Sequence, residues 1–138
     1  MMDNTTDQQK THTLNGNNHK KGNKFEAIAQ GFLLKKGYLI IATNFFSKRF
    51  GEIDIIAKKD DVITFIEVKG RNSLTFGTGD TSITRSKKRK LIRSCQHWLL
   101  KFDIRNDWQI DVIVITHDFE NKKYYLKHYV NCITQLDF

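Results

Sequence analysis

Carboxylates and a lysine occur together on two segments whose residues favour β-structure. Ile53–Ala57 and Val62–Val68 are rich in β-branched residues and flank Asp60 and Asp61, so they are predicted to form a hairpin. With Asp60-Asp61 as a two-residue turn, Asp54 faces Glu67 across the strands, because directly opposed residues share a face. Acidic side chains paired in this way are typical ligands of a hard divalent cation such as Mg²⁺ or Mn²⁺.

The same register assigns the neighbouring side chains to two faces. One predicted face collects Glu52, Asp54, Glu67 and Lys69, and the other carries Ile53, Ile55, Ile66 and Val68. Asp-Asp lacks the glycine that favours a two-residue turn. A three-residue loop would instead place Asp54 and Glu67 on opposite faces, so the register is an open point of this prediction.

The electrostatic cost of opposing two carboxylates argues for a cation. Like charges roughly 5 Å apart repel by roughly 3 kcal/mol at an effective dielectric constant near 20. Lys69 offers one positive charge, and a divalent ion between Asp54 and Glu67 would offer two more, with the chemistry of metal-assisted phosphodiester hydrolysis. The alternative is a solvated hairpin end with ordinary surface ion pairs. Apolar residues on both faces predict central strands instead, where unpaired carboxylates are rare.

A predicted first helix brings a further carboxylate towards this hairpin. Its apolar stripe has helical spacing and consists of Phe25, Ile28, Ala29, Phe32 and Leu33. Glu26 lies at the edge of that stripe, where both a role in the metal cluster and an ordinary surface position are open. Gly37 stands where this helix is expected to stop.

The remaining elements complete a mixed sheet covered by helices. Tyr38–Ile41, extendable to Phe46, is a predicted strand, and Thr84 is a predicted N-cap of a second helix that ends near Phe102. Ile110–Thr116 and Tyr124–Val130 are predicted as the last strands. The order αβββαββ predicts an α/β (α+β) fold with a central mixed sheet.

Charge indicates a polyanionic partner. The chain of 138 residues has a formal net charge of +8 and a pI near 9.5, which favours nucleic acid over a membrane surface as a partner. Basic residues crowd the start of the second helix, where phosphate groups would offset their repulsion with the helix dipole. The predicted contacts are Arg71, Arg85, Lys87, Lys88 and Lys90. A solvated basic face is the alternative.

Composition bounds the domain organisation and the compartment. Residues 1–21 are polar and predicted to be a flexible tail, and 22–138 are predicted to be a single domain. No apolar run reaches the length of a membrane span, and Cys95 and Cys132 suggest neither a zinc site nor a disulfide framework. A cytoplasmic protein is therefore expected. His97, His117 and His128 have no zinc spacing and are expected at a helix surface or strand edge.

These segments together resemble a known superfamily. Glu26 in a helix, Gly51–Ala57, and then Phe65–Lys69 resemble the PD-(D/E)XK nucleases, which include restriction endonucleases and Holliday junction resolvases. The chain is more closely similar to the YraN-like family of small bacterial proteins. Further matching positions are Gly37-Tyr38, Arg71, Phe76-Gly77, Lys87, Leu91, Trp98-Leu99 and Asp111-Val112.

The resemblance implies a restriction-endonuclease-like core and a set of roles. Asp54 and Glu67 become metal ligands, with the Val68 carbonyl as a third, Lys69 becomes the catalytic lysine, and Glu26 supports the metal. Glu52 and Asp111 are expected to support the site, Asp111 by ordering it or by pairing with a lysine. Resolvase-like members often dimerise, so both a monomer and a homodimer are open.

The leading hypothesis is a Mg²⁺- or Mn²⁺-dependent nuclease that acts on DNA, branched or single-stranded, in preference to RNA. The alternative is a nucleic-acid-binding protein that keeps the fold without turnover. A third reading is an adaptor whose basic helix meets an acidic protein.

Overall fold

In a computed structural model that describes residues 20–72 and 83–134, two helices and five strands follow the order αβββαββ. They are α1 (Lys20–Lys35), β1 (Leu39–Ser47), β2 (Gly51–Lys59), β3 (Val62–Arg71), α2 (Arg85–Lys101), β4 (Trp108–Asp118) and β5 (Lys123–Ile133). The strands form one sheet in the order β1-β2-β3-β4-β5, in which only β3 and β4 run parallel. The predicted mixed α+β fold is therefore confirmed.

Local signals in the sequence account for the helix ends. Thr84 is the N-cap of α2, and its hydroxyl oxygen accepts a hydrogen bond from the Lys87 N–H at 3.1 Å. Gly37 has φ of +90° just after α1, and the following Tyr38 N–H donates to the Leu33 carbonyl at 3.0 Å. That closing turn is easiest for glycine, so Gly37 ends the helix as predicted. The tail before residue 20 and the loop of residues 73–82 lie outside the described residues.

The β2–β3 hairpin has the predicted register. Lys59 pairs with Val62 and Ile56 with Phe65, which leaves Asp60 and Asp61 as the two turn residues. Both have positive φ, 51° and 65°. A two-residue turn of the I′ type needs that conformation at both positions, and aspartate tolerates it better than most residues. The turn therefore forms without glycine.

Two apolar cores lie on opposite faces of the sheet, one under each helix. The core under α1 is built from Ala29, Leu33, Ile55, Ala57, Ile66, Ile113 and Ile115. The core under α2 includes Ile53, Ile56, Phe65, Leu91, Ile92, Cys95, Trp98, Val112 and Val114. In the described part of the chain, neither helix combines the length and apolar character needed to cross a bilayer.

Near Asp54 the side chains of β1 and β2 stop alternating regularly between the two faces of the sheet. We call this point the face change, and it corrects the predicted distribution of side chains. Ile53 and Ile56 both pack in the core under α2, although Ile55 packs under α1. Strict alternation would place residues three positions apart on opposite faces. Opposite this point β1 has Asn44 with φ of +52°. The prediction that Ile53 shares a face with Ile55, Ile66 and Val68 is therefore wrong, because the alternation is interrupted there.

Candidate metal centre and nucleic-acid interface

Three carboxylates converge where the face change occurs. Glu26, Glu52 and Asp54 each offer an oxygen atom, and these oxygens all lie within 4.8 Å of one another. Glu26 comes from α1 and is buried, so its side chain lies against the sheet and not at the surface. The two others come from the first half of β2. The helix and the irregular strand thus bring Glu26 next to two side chains that lie 26 and 28 positions later in the chain.

Close packing of α1 on β3 holds Glu26 in place. A Cβ atom added to Gly70 would overlap the ring of Phe25, so glycine is what lets the start of α1 approach the end of β3. Ala29 and Leu33, further along the same helix, are completely buried. Because Glu26 immediately follows Phe25, this contact determines where its carboxylate lies.

The carboxyl group of Asp54 is strongly perturbed by its surroundings. Its Oδ2 accepts a hydrogen bond from the Val68 backbone N–H at 2.8 Å. Burial, followed by the negative charge of Glu67, raises the pKa of Asp54 from its ordinary value to about 8; Glu26 and Glu52 add to this, and the Val68 bond opposes it. The carboxyl group of Asp54 is therefore stabilised either by a bound proton or by a positive charge beside it.

Glu67 is buried and forms an ion pair with a lysine of α2. Its Oε1 lies 2.9 Å from the Nζ of Lys87. Burial lowers the pKa of Lys87, but the hydrogen bond and charge of Glu67, together with the charge of Asp54, outweigh it and leave the pKa raised. Glu67 is not one of the three converging carboxylates among the described residues; it couples to them through Asp54.

The arrangement places Asp54 between two groups of charges. Glu26 reaches it from the side of α1, and the Glu67–Lys87 pair reaches it from the side of α2. The predicted ligands Asp54 and Glu67 are thus brought close together, but Glu26 and Glu52 are more tightly grouped with Asp54. The donor set consists of carboxylate oxygens only, which fits Mg²⁺ or Mn²⁺ and not zinc.

Two further predicted site residues follow Glu67 in β3. The N–H of Val68 is used by Asp54, and Lys69 is half-buried at the next position, paired with Val114 of β4. Lys69 therefore lies two positions after Glu67 along the same strand. Its proposed catalytic role stays a prediction.

The predicted phosphate contacts divide into inward and outward positions. Arg85 and Lys90 are exposed and Lys88 is half-buried on α2, whereas Lys87 points its ammonium group at Glu67. The Nε of Arg71 donates to Thr116 Oγ1 at 3.2 Å, across β3 and β4. Sequence reasoning missed the contact of Lys87 with Glu67, although its spacing of four from Leu91 and eight from Cys95 places it in line with the buried stripe of the helix. The Lys87 side chain itself is 54% exposed.

Asp111 forms a separate buried network. Its side chain has no exposed surface and accepts from the Asn131 N–H at 2.8 Å and from Gln109 Nε2 at 3.0 Å, and it lies 2.7 Å from His128 Nε2. His128 packs edge-on against Phe32. The expected pairing of Asp111 with a lysine is wrong: histidine is the partner, because His128 pairs with Ile113 of β4 and so lies on the same face of the sheet as Asp111 two positions before.

The fold and the acidic cluster define a small mixed α+β protein with a candidate divalent-metal site at one end of its sheet. Residues 25–115 match the model of Uncharacterised protein family UPF0102, and the chain belongs to this family. The sequence resemblance to the YraN-like family is confirmed in this form; membership of the PD-(D/E)XK superfamily stays a prediction.

Relatives from diverse bacteria match over most of their length. A UPF0102 protein of Clostridium tetani is 37% identical over 115 residues, which cover 83% of this chain and 93% of the relative. One from Sulfurimonas denitrificans is 45% identical over 70% of this chain and 85% of the relative. One from Vibrio parahaemolyticus is 40% identical over 70% and 80% respectively. All three alignments are long enough to support the family assignment.

Proposed function

We propose that this protein is a Mg²⁺- or Mn²⁺-dependent nuclease that hydrolyses phosphodiester bonds in DNA. The observation that carries the proposal is the meeting of Glu26, Glu52 and Asp54 within 4.8 Å, beside a fourth buried carboxylate on Glu67. Such a concentration of negative charge is unfavourable unless a cation or protons balance it. The resemblance to PD-(D/E)XK nucleases and the positive charge of the chain support the same function.

Each residue has a role that follows from its position. Asp54, with Glu26 and Glu52 or with Glu67, would hold the ion, which when bound supplies charge stabilisation for the phosphate and a more acidic water. The Val68 N–H fixes the orientation of the Asp54 carboxylate through its 2.8 Å bond. Lys69 would hold a water or balance the charge that develops on the phosphate.

The basic positions of α2 would bind the substrate backbone. Arg85, Lys88 and Lys90 lie on the helix whose Lys87 contacts the acidic site, so a phosphate bound there is also near the carboxylates. Contacts of this type position a nucleic acid but do not read its sequence. We therefore expect recognition of structure or of ends and no recognition sequence.

Cleavage assays with paired variants test the proposal. Purified protein is incubated with single-stranded, duplex and branched DNA, each labelled at one end, with Mg²⁺, with Mn²⁺ or with EDTA. We expect metal-dependent products from the wild type and a loss of at least 100-fold in Asp54→Asn. The matched control is Asp60→Asn, the same change at the exposed hairpin turn, which should cleave like the wild type. Equal cleavage by both variants would exclude Asp54 as a ligand.

One observation favours the second candidate, a nucleic-acid-binding protein without turnover. The 2.9 Å pair between Lys87 and Glu67 already balances one buried carboxylate without a metal ion. A pure binder would retain DNA in EDTA and show no metal-dependent loss of any substrate in the panel.

A further inference from the structure

Four side chains at the end of the sheet contact one another in series, through one stacked ring pair, one tilted ring pair and one cation–ring contact. The ring of His117 is stacked on that of Tyr124, with centroids 4.4 Å apart and an interplanar angle of 12°. The ring of Phe119 also contacts His117, with centroids 4.2 Å apart and the two planes tilted by 56°. The Nζ of Lys24 lies 5.3 Å from the centre of the Tyr124 ring. We refer to Lys24, Tyr124, His117 and Phe119 as the ring column.

The last ring of the column is open to solvent. Phe119 is 60% exposed and belongs to the turn between β4 and β5. Single exposed apolar residues are common on proteins, so exposure alone carries no function. Here, however, the exposed phenyl lies against the stacked rings of His117 and Tyr124, with the ammonium group of Lys24 beside Tyr124, and its exposed surface is free to take a further planar ring.

The turn that presents Phe119 is held by hydrogen bonds. Asp118 Oδ1 accepts from the backbone N–H groups of Glu120 and Asn121 at 3.1 and 3.3 Å, and its Oδ2 accepts from the Asn121 side chain at 2.7 Å. The Asn121 side chain and then these N–H groups lower the pKa of Asp118 from its ordinary value against the opposing effect of burial. Because the turn is ordered in advance, little entropy is lost when a ligand stacks on it.

The charges around the column suit a polyanion. Lys122 and Lys123 lie in and beside the turn and are exposed, as is Lys24 at the other end of the column. Glu120 is the exposed acid of the turn. An aromatic ring flanked by lysines is the combination with which proteins hold unpaired nucleotides, since bases stack on the ring and phosphates attract the lysines.

The column lies at the same end of the sheet as the acidic cluster. Because β3 and β4 run parallel, the end of β4 that carries His117 lies beside the end of β3 that follows Glu67. Residue Lys24 of the column is two positions before Glu26 in α1. A strand of nucleic acid could therefore contact both places at once.

We propose that Phe119, supported by the ring column, stacks on an unpaired nucleobase and so selects nucleic acids with a single-stranded segment. This inference rests on the proposed function, since it names the substrate class of the same site. It involves no covalent step and no metal ion.

Binding measured in EDTA separates this inference from cleavage. A single-stranded oligonucleotide that contains 2-aminopurine is titrated at low salt, and its fluorescence reports stacking. The fully paired duplex of the same sequence is the second ligand. We expect Phe119→Ala to weaken single-strand binding roughly tenfold and duplex binding much less. Phe119→Trp should restore both affinity and stacking.

The chain offers a matched control on the opposite sheet edge. Phe46 of β1 is 65% exposed, so Phe46→Ala removes the same side chain at similar exposure. Wild-type affinity in Phe46→Ala combined with loss in Phe119→Ala supports the inference. Equal single-strand affinities in the two variants would overturn it. So would an equal loss of affinity for the duplex in Phe119→Ala, or a change in the oligomeric state of that variant instead of a change in binding.

These experiments distinguish failure of this inference from failure of the proposed function. If the protein cleaves with metal and Phe119→Ala changes neither cleavage nor binding of any substrate, the role of the ring column is rejected and the nuclease is not. Stacking that depends on Phe119 in a protein that never cleaves rejects the nuclease and keeps the column. A wild type that binds neither ligand at low salt rejects both.

Discussion

Replacing Asp54 by asparagine should stabilise the metal-free protein, and increasingly so as the pH rises. The pKa of Asp54 is raised to about 8 in the folded chain, mainly by burial and by Glu67. The folded state therefore binds more protons than the unfolded state between about pH 4 and pH 8. Over that window the stability of the wild type falls as the pH rises, and an amide at position 54 has no such dependence.

The expected magnitude follows from the size of the shift. A rise from 3.8 to about 8 corresponds to roughly 6 kcal/mol at about 1.4 kcal/mol per pH unit. Asparagine keeps an oxygen for the Val68 N–H, but its amide must still be buried beside Glu26 and Glu52, which costs part of the gain. We therefore expect Asp54→Asn to be about 2–3 kcal/mol more stable than the wild type at pH 8.

Urea unfolding followed by circular dichroism measures this directly, at pH 5, 6.5 and 8 in EDTA. Asp60→Asn, on the exposed turn, should match the wild type at all three values. Adding Mg²⁺ should stabilise the wild type, by about 1.4 kcal/mol at ten times the dissociation constant, and the Asp54 variant less. An Asp54→Asn protein that is less stable than the wild type at pH 8 would show that the carboxylates are not mutually repulsive.

Two other substitutions test how the site is held. Gly70→Ala should lower the free energy of unfolding in urea by about 2 kcal/mol or more, because its methyl group overlaps the Phe25 ring. The control is Gly31→Ala in α1, the helix that carries Phe25; its methyl group meets nothing within 4 Å, so this change should be neutral or slightly stabilising. Equal effects of the two substitutions would contradict the close approach of α1 to β3. Asp111→Ala should cost roughly 3 kcal/mol, since the buried Asn131 N–H loses its acceptor, and a melting temperature like that of the wild type would refute this.

The hairpin shows how much of the site could be predicted from sequence. Its two β-rich runs and the length of the segment between them predicted the register, which the structure confirms down to the Ile56–Phe65 pair. That register depends only on local chemistry, namely the ability of Asp60 and Asp61 to adopt positive φ. The position of Glu26 on the inner side of α1 likewise follows from helical periodicity.

Features that depend on two strands together could not be predicted in the same way. The face change at Asp54 coincides with Asn44 on β1, a residue whose positive φ has no marker beyond its type. The hydrogen bond from the Asn131 N–H to Asp111 likewise coincides with an irregularity in the pairing of β4 and β5. In both places a carboxylate side chain accepts from a backbone N–H that belongs to another strand, Val68 in one and Asn131 in the other.

Helix α2 connects the acidic site with the surface that would contact phosphate. The ammonium group of its Lys87 lies 2.9 Å from Glu67, and its other exposed positions include Arg85 and Lys90. An α-helix with its side chains is about 10–12 Å across, so a phosphate on the outer surface lies roughly that far from the carboxylates. The N-cap bond of Thr84 holds the first turn, from which both sets of side chains project. Under the proposed function, one helix would therefore both bind the nucleic-acid backbone and adjust the charge of the site.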